Sequence, residues 1–206
     1  MTPFKFRTLE SAPAESRPLL QSKQKECGFV PHLEGQLAAS PLVLRAYSTL
    51  FEQFESSSLS PAERLIVLLA SSVENRDAFG VAAWTHRARE SRYLPPTVIE
   101  ALRMGDAIGN PRQDVLANLA RQIARRGGRA SGVPVAAFLA AGYQEHQVME
   151  VLLGVSVAAM GAYASNLLQT PLNWELQLDW WTAPLRDPAR DPLSSDQAAA
   201  KRTHAA

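Results

Sequence analysis

Three residues in one short stretch have types and spacing that suit chemistry. Asp77 and Trp84 are seven residues apart, which is two helical turns, so both lie on one face of a predicted helix with Gly80 between them. There Asp77 is a candidate general base or a group that binds a cation, while Gly80 and Trp84 suggest a reshaped pocket. The structural alternatives are that Trp84 packs in the core and that Asp77 is a helix N-cap turned back onto the amides of Phe79 or Gly80.

Several charged residues near Asp77 are further candidates. Glu74 is a candidate for relaying protons to Asp77, and Arg76 for holding a substrate carboxylate. His86 follows Asp77 by nine residues, which at about 100° per residue places it on the opposite face, so we predict a surface or interface histidine. Glu63 is assigned to helix capping.

Composition excludes several classes of chemistry. Cys27 is the single cysteine, so the chain can form no internal disulfide or reactive dithiol, and we predict a small buried residue. The four histidines fall in no ligand spacing, so no metal and no cofactor is predicted. A net charge of +1 argues against a nucleic-acid partner. No apolar run of membrane-spanning length and no secretory signal are evident, so we expect no membrane partner and a cytoplasmic location.

The elements that must position these residues are predicted to be helices throughout, which makes the fold class all-α. Ser60 to Glu63 forms a capping box that starts one of them. Periodicity and breaks predict helices from Glu15 to a break at Gly28, Leu42 to Phe54, Pro61 to near Asn75, Asp77 to Arg92, Pro96 to near Gly105, Pro111 through Ile123, Val135 to Ala141 and Gln144 to Leu168. We expect an extended segment at 1–14, one helical domain at 15–182 and a mobile tail at 183–206.

Residues 63–89 resemble the carboxymuconolactone decarboxylase and alkylhydroperoxidase-D superfamily. Peroxidase members of that family carry a helix with a pattern like V-x-N-x-C-x-Y-C-x-A-A-H. Asn75 matches the asparagine of the pattern. The reactive positions differ: Asp77 and Gly80 stand in place of the two cysteines, Phe79 in place of the tyrosine and Trp84 in place of the histidine.

A second window, 138–172, resembles the carboxyl-terminal helix of the same family, which tends to end in a motif like N-Y-T-N-H-x-x-x-T-P-L. Tyr163 and the run Thr170, Pro171, Leu172 fit this motif, while Asn166 replaces the histidine. The resemblance implies a helical bundle of the alkylhydroperoxidase-D-like type and a homo-oligomer, a trimer or hexamer.

The loss of both motif cysteines denies the peroxidase mechanism, and two functions stay open. The first is a cofactor-free acid–base enzyme, of decarboxylase, lyase or isomerase type, acting on a small organic acid or carbonyl compound. Its candidate residues are Asp77 and Glu74 for catalysis and Trp84, Gly80, Arg76, Phe79 and Asn166 for the substrate. The second is a non-catalytic descendant that binds a small molecule or a partner. A cavity that holds Asp77, Glu74 and Trp84 together favours the first, and solid packing favours the second.

Overall fold

A computed structural model describes residues 4–129 and 132–184. These residues form helices joined by turns, with no strand in the ranges described. The elements are α1 (Arg17–Cys27), α2 (His32–Leu37), α3 (Pro41–Glu55), α4 (Pro61–Glu74), α5 (Ala78–Ser91), α6 (Pro96–Met104), α7 (Pro111–Arg126), α8 (Gly132–Ala140), α9 (Glu145–Leu168) and a 3₁₀ helix (Trp174–Asp179). The predicted tail at 183–206 lies almost wholly outside the described residues.

Helix α4 is the centre of the bundle. Its run Leu65–Ala70 is buried, and it packs against α5, α6, α7 and α9. The predicted capping box is present at its start: the Ser60 hydroxyl accepts from the amide of Glu63, and the Glu63 carboxylate accepts from the amide of Ser60 at 2.9 Å. Glu63 also accepts hydrogen bonds from Tyr143 and Arg112, so its carboxylate is used to join α4 to the α7 side of the bundle.

Helix α9 crosses the bundle beside α4 and packs against α3, α5 and α7 as well. Gly154 allows close packing, since a Cβ there would lie 2.5 Å from the Phe54 ring. By length and composition α9 is apolar enough to cross a membrane, but core helices of bundles share that composition, and 44% of its most apolar window is buried inside the structure. Its outer face leaves Met149, Tyr163 and Leu167 exposed.

The sequence did not predict two elements, α2 and the 3₁₀ helix. Helix α2 has six residues and follows Pro31, which is its N-cap. The 3₁₀ helix packs on α5, where its buried Asp179 accepts hydrogen bonds from His86 and Arg89. The 3₁₀ helix thus covers one side of α5, while α2 packs on α3 and α9.

Candidate functional site

A cavity of about 400 Å³ lies between α1, α2, α3, α5, α9 and the 3₁₀ helix. Apolar side chains make most of its wall, including Phe29, Leu33, Phe51, Phe79, Trp84 and Leu176. The rings of Phe51 and Trp84 stack with centroids 5.6 Å apart, so the aromatic wall is preformed. Such a cavity, mostly apolar with a few polar groups, is the usual form of a small-molecule site.

Asp77 brings one carboxyl group to this cavity from the N-terminal end of α5. Its side chain is buried, and Oδ1 accepts a hydrogen bond of 2.6 Å from the Ser165 hydroxyl on α9. Burial raises the pKa of Asp77, and the amide of Gly80, the Ser165 hydroxyl and the amide of Phe79 offset part of that rise. The amides of Phe79 and Gly80 nevertheless do not meet the distance and angle criteria for an N-cap hydrogen bond to the Asp77 carboxylate. Asp77 therefore faces the cavity and also turns back toward α5, so both predicted geometries hold in part.

Gly80 is required by the position of that carboxyl group. A Cβ at residue 80 would lie 2.1 Å from Oδ2 of Asp77 and 3.0 Å from the Ser72 hydroxyl. The space that the sequence suggested would open at Gly80 is therefore occupied by the Asp77 carboxyl group. The two departures from the family motif, at residues 77 and 80, thus form one packing unit.

Glu34 on α2 brings a second carboxyl group to the same cavity. Its side chain is 8% exposed, and within the described residues no side chain donates a hydrogen bond to it. Burial raises its pKa to about 7, an effect that Lys23 and its own amide reduce and Glu26 increases. At neutral pH, Glu34 is therefore present in both protonation states.

Two hydroxyl groups from α3 complete the polar lining. Tyr47 is buried against Gly161, where an added Cβ would lie 3.2 Å from its hydroxyl oxygen. Burial, followed by the charges of Glu34 and Asp77, raises the pKa of Tyr47 far above its ordinary value, so this phenol stays protonated. The Ser48 hydroxyl is buried beside the cavity and has no hydrogen-bond partner in the described ranges.

The segment after α9 holds α2, and with it Glu34, in place. Asn173 accepts a hydrogen bond of 2.8 Å from the amide of His32 and donates to the carbonyl of Val30. The hydroxyl of Thr170 donates to the side chain of Gln36 on α2. Part of the motif window that includes Thr170 therefore positions the helix that carries the second carboxyl group.

Charged side chains line the mouth of the cavity. Lys23 and Arg87 both pair with Glu26, at 2.8 and 3.1 Å, and Arg87 also binds Glu55 at 2.7 Å. Both cations lie over the Phe51 ring, at 4.5 and 5.1 Å from its centroid. The basic groups at the mouth are therefore already paired with acids.

His86 also lines the cavity, which contradicts its predicted place on the opposite face. Its Nδ1 lies 3.2 Å from the Asp179 carboxylate. Trp84 and His86 are two residues, about 200°, apart on α5 and both line the cavity, so a wide arc of this helix faces it and residues on nearly opposite sides of the helix can reach it.

The structure brings Asp77, Phe79, Gly80 and Trp84 together around the cavity, but not the other three predicted site residues. Glu74 instead receives two hydrogen bonds from Arg125 on α7, at 2.6 and 2.9 Å. Arg76 is exposed at the turn before Asp77, with φ 54°. Asn166 is exposed on α9 because its neighbour Ser165, about 100° around the helix, takes the inward position.

Cys27 is a further correction, since it is exposed rather than buried in the core. It lies at the edge of the cavity. Partial burial of its thiol and the Glu26 charge raise its pKa, with Lys23 acting in the other direction. A raised pKa leaves less thiolate, so the environment opposes nucleophilic chemistry at this residue.

Sequence reasoning missed Glu34, Tyr47, Ser48 and Ser165 as site residues. Tyr47 and its helix were predicted, but nothing in the periodicity of α3 distinguishes a cavity wall from a core position. No group of three or more His, Cys, Asp or Glu in the described ranges is placed to hold a metal ion.

No family model matches the chain, and no curated protein sequence matches it. Solved structures do. An uncharacterized peroxidase-related protein from Ralstonia eutropha JMP134, described as an alkylhydroperoxidase AhpD core, has a TM-score of 0.73 at 19% identity, covering 86% of this chain and 97% of its own. The debrominase Bmp8, solved alone and as a variant in complex with 2,3,4-tribromopyrrole, has a TM-score of 0.75 at 12% identity over 87% and 96%.

A peroxidase-related protein from Silicibacter sp. TM1040 has a TM-score of 0.72 at 17% identity over 84% and 94% of the two chains. At these identities the likeness establishes the fold. The prediction of an all-α bundle of the alkylhydroperoxidase-D-like type is confirmed.

Proposed function

We propose that this protein, built on the fold of the AhpD core, is a cofactor-free acid–base enzyme that acts on a small carbonyl compound by decarboxylase, lyase or isomerase chemistry. One observation carries the proposal: Glu34 is buried beside the cavity without a side-chain hydrogen-bond partner in the described residues, and its pKa is about 7. A general acid–base group works best when its pKa lies near the working pH, and Glu34 meets that condition.

The role of Asp77 changes in this proposal. The sequence assigned it the proton transfer, but Ser165 and the start of α5 already occupy its oxygens. A carboxylate with fixed partners is suited to orient or polarise a bound group rather than to exchange protons. Asp77 is therefore proposed as a fixed acceptor, with Glu34 as the proton-exchanging group.

The aromatic wall supplies binding for the apolar part of the substrate. Phe51, Phe79 and Trp84 enclose a volume that suits a compound of one small ring. The complex of the Bmp8 variant with 2,3,4-tribromopyrrole supports this size class, since a protein of the same fold binds a small substituted ring. Peroxidase chemistry with a dithiol is not proposed, because Cys27 has no second thiol.

The alternative is a binding protein without catalysis, favoured by the internal hydrogen bond of Asp77. Proton exchange separates the two. Small carbonyl compounds are incubated with the protein in D₂O, and deuterium incorporation or decarboxylation is followed by NMR. For any active compound, Glu34→Gln should lower the rate about 100-fold or more, and the rate should rise with pH through about 7, as a base requires.

The matched control is Glu52→Gln, which makes the same change at an exposed position of α3 and should keep the rate. Compounds that bind without exchange would support the binding protein. A rate that Glu34→Gln leaves intact would remove Glu34 from the mechanism.

We also propose a homo-oligomer formed through α9, because Met149, Tyr163 and Leu167 are 62%, 71% and 74% exposed on one apolar helix. Light scattering at micromolar concentration should give a mass above the 22.5 kDa of one chain. A monomer at that concentration would contradict the proposal.

A further inference from the structure

The polar groups inside the cavity are mostly acidic or neutral. Glu34 and Asp77 are both buried there, and the hydroxyls of Tyr47 and Ser48 lie beside them. The two hydroxyls can accept as well as donate, and the Ser48 hydroxyl has no protein partner in the described part of the chain. Among the described residues, the lining therefore offers several acceptors to a ligand, and its cationic side chains are those that already have acidic partners.

Three basic side chains of the described residues line this cavity, and each already has an acidic partner. Lys23 and Arg87 bind Glu26, and His86 binds Asp179. A ligand carboxylate would have to break one of these pairs to gain a counter-ion. It would also bring a negative charge toward two buried carboxyl groups, which disfavours binding.

The aromatic wall favours the same class of ligand as the charges do. The Phe51 ring already attracts two cations of the protein at its face, Lys23 and Arg87. Trp84, stacked on Phe51, is the ring type that attracts cations most strongly. An ammonium group in the cavity would thus lie among carboxyl groups and aromatic rings, both of which attract cations.

We infer that the cavity selects ligands that carry an ammonium group over ligands that carry a carboxylate. The inference rests on the proposed use of this cavity as the substrate site and narrows the substrate class to amine-bearing compounds, in place of the small organic acids that the sequence suggested. Glu34 is the expected counter-ion, because no side chain in the described residues donates a hydrogen bond to it, and Lys23, the cation that acts on it, is already paired with Glu26.

Protonation of Glu34 gives the inference a pH dependence. The groups that act on Glu34 are Lys23, Glu26 and Cys27 on α1 and Tyr47 on α3. Lys23 and Glu26 form a pair at 2.8 Å, and the Cys27 thiol and the Tyr47 phenol have raised pKa values. Ammonium binding should therefore weaken as the pH falls below about 7 and Glu34 takes up its proton.

Three probes of one shape test the charge preference: phenethylamine, 2-phenylethanol and phenylacetate, titrated by calorimetry near pH 8 and pH 6. Phenethylamine should bind at least about tenfold more tightly than 2-phenylethanol near pH 8, with phenylacetate weakest. Its affinity should fall at pH 6, while that of 2-phenylethanol should stay constant. Glu34→Gln should remove the preference for the amine, and the exposed control Glu52→Gln should keep it.

Tighter binding of phenylacetate, an amine preference that survives Glu34→Gln, or no binding of any probe at millimolar concentration would overturn the inference. The pH comparison on the unmodified chain serves as the second test if Glu34→Gln does not fold. Amine binding without proton exchange would leave the inference standing and remove the enzyme. Proton exchange that depends on Glu34 but uses a carboxylate substrate would support the enzyme and overturn the inference.

Discussion

Two walls of one cavity each carry a buried carboxyl group, and the two groups are held very differently. On the α5 wall, Asp77 receives a hydrogen bond from Ser165 and lies against Gly80, whose missing side chain makes room for it. On the α2 wall, Glu34 is nearly as buried but has no side-chain donor in the described residues. Burial raises both pKa values; the Ser165 hydroxyl and the amides of Gly80 and Phe79 offset part of the rise for Asp77, whereas for Glu34 only the Lys23 charge and its own amide do so.

The difference separates a carboxyl group that supports the fold from one that is available for chemistry. Donors around Asp77 stabilise its charged form and fix its position. The Glu34 carboxylate loses hydration on burial and gains no hydrogen bond from another side chain in the described residues. A proton or a cationic ligand can therefore stabilise it. Variants of the two carboxyl groups and of the residues around them test this contrast.

The largest effect concerns how the free energy of unfolding depends on pH. The folded pKa of Glu34 is about 7 against an ordinary value of 4.5, so the folded chain binds the extra proton between these values. The free energy of unfolding therefore falls as the pH rises through that window, by about 3 kcal/mol in all. Glu34→Gln removes this loss and should stabilise the protein near pH 8, as measured by urea unfolding at several pH values.

Asp77→Asn is the matched comparison for that measurement. The pKa of Asp77 is raised too, but its hydrogen-bond donors reduce the rise. The gain in unfolding free energy near pH 8 should therefore be clearly smaller for Asp77→Asn than for Glu34→Gln. An equal or larger gain for Asp77→Asn would reverse the contrast between the two walls.

The second effect comes from the contact between Asp77 and Gly80. Gly80→Ala places a Cβ 2.1 Å from Oδ2 of Asp77, which must move away from a buried site, and the cost should be about 2 kcal/mol of unfolding free energy. Gly132→Ala is the control, because a Cβ there meets no atom within 4 Å. In the double variant Asp77→Ala, Gly80→Ala, no carboxyl group lies in the way of the added Cβ. The double variant should therefore lose less unfolding free energy than the two single variants lose together.

The α5 wall could be predicted from the sequence because its signals are local. A proline and a capping box start α4, the break near residue 75 separates α4 from α5, and the apolar run of α9 is long. These signals gave the helices, the fold and the shared face of Asp77, Gly80 and Trp84.

The α2 wall could not be predicted because what forms it is distant in the chain. Six residues are too few to show a helical period, and Glu34 among them has the sequence appearance of a surface glutamate. Its helix is held by Thr170 and Asn173, more than 130 positions away. Burial of Glu34 is therefore a tertiary property, and the proposed proton-exchanging group followed only from the structure.

The third effect concerns the α9 residue that donates a hydrogen bond to Asp77. Ser165→Ala leaves Oδ1 of Asp77 without its hydroxyl donor and should cost about 1.5 kcal/mol of unfolding free energy. Asn166→Ala, at the position of the family histidine, should change stability by no more than about 0.5 kcal/mol because Asn166 is exposed. Equal costs in thermal unfolding would mean that the hydrogen bond of Ser165 contributes nothing particular.

The smallest effect is expected at Glu74, which the sequence placed in the site but which, at the end of α4, is bound to Arg125 on α7. Its carboxylate forms a two-point contact with Arg125, partly buried on both sides. Glu74→Gln keeps the shape and the acceptor oxygen but removes the charge, so unfolding free energy should fall by at most about 1 kcal/mol.

Because Glu74 lies outside the cavity lining, the same variant should bind phenethylamine within about twofold of the unmodified chain. Glu34→Gln, with the same chemical change, should weaken that binding by about tenfold or more. A tenfold or larger loss of affinity in folded Glu74→Gln would instead show that its charge reaches the cavity, and the proton relay first proposed from the sequence would regain support. The two glutamates thus differ in where the fold places them rather than in chemistry.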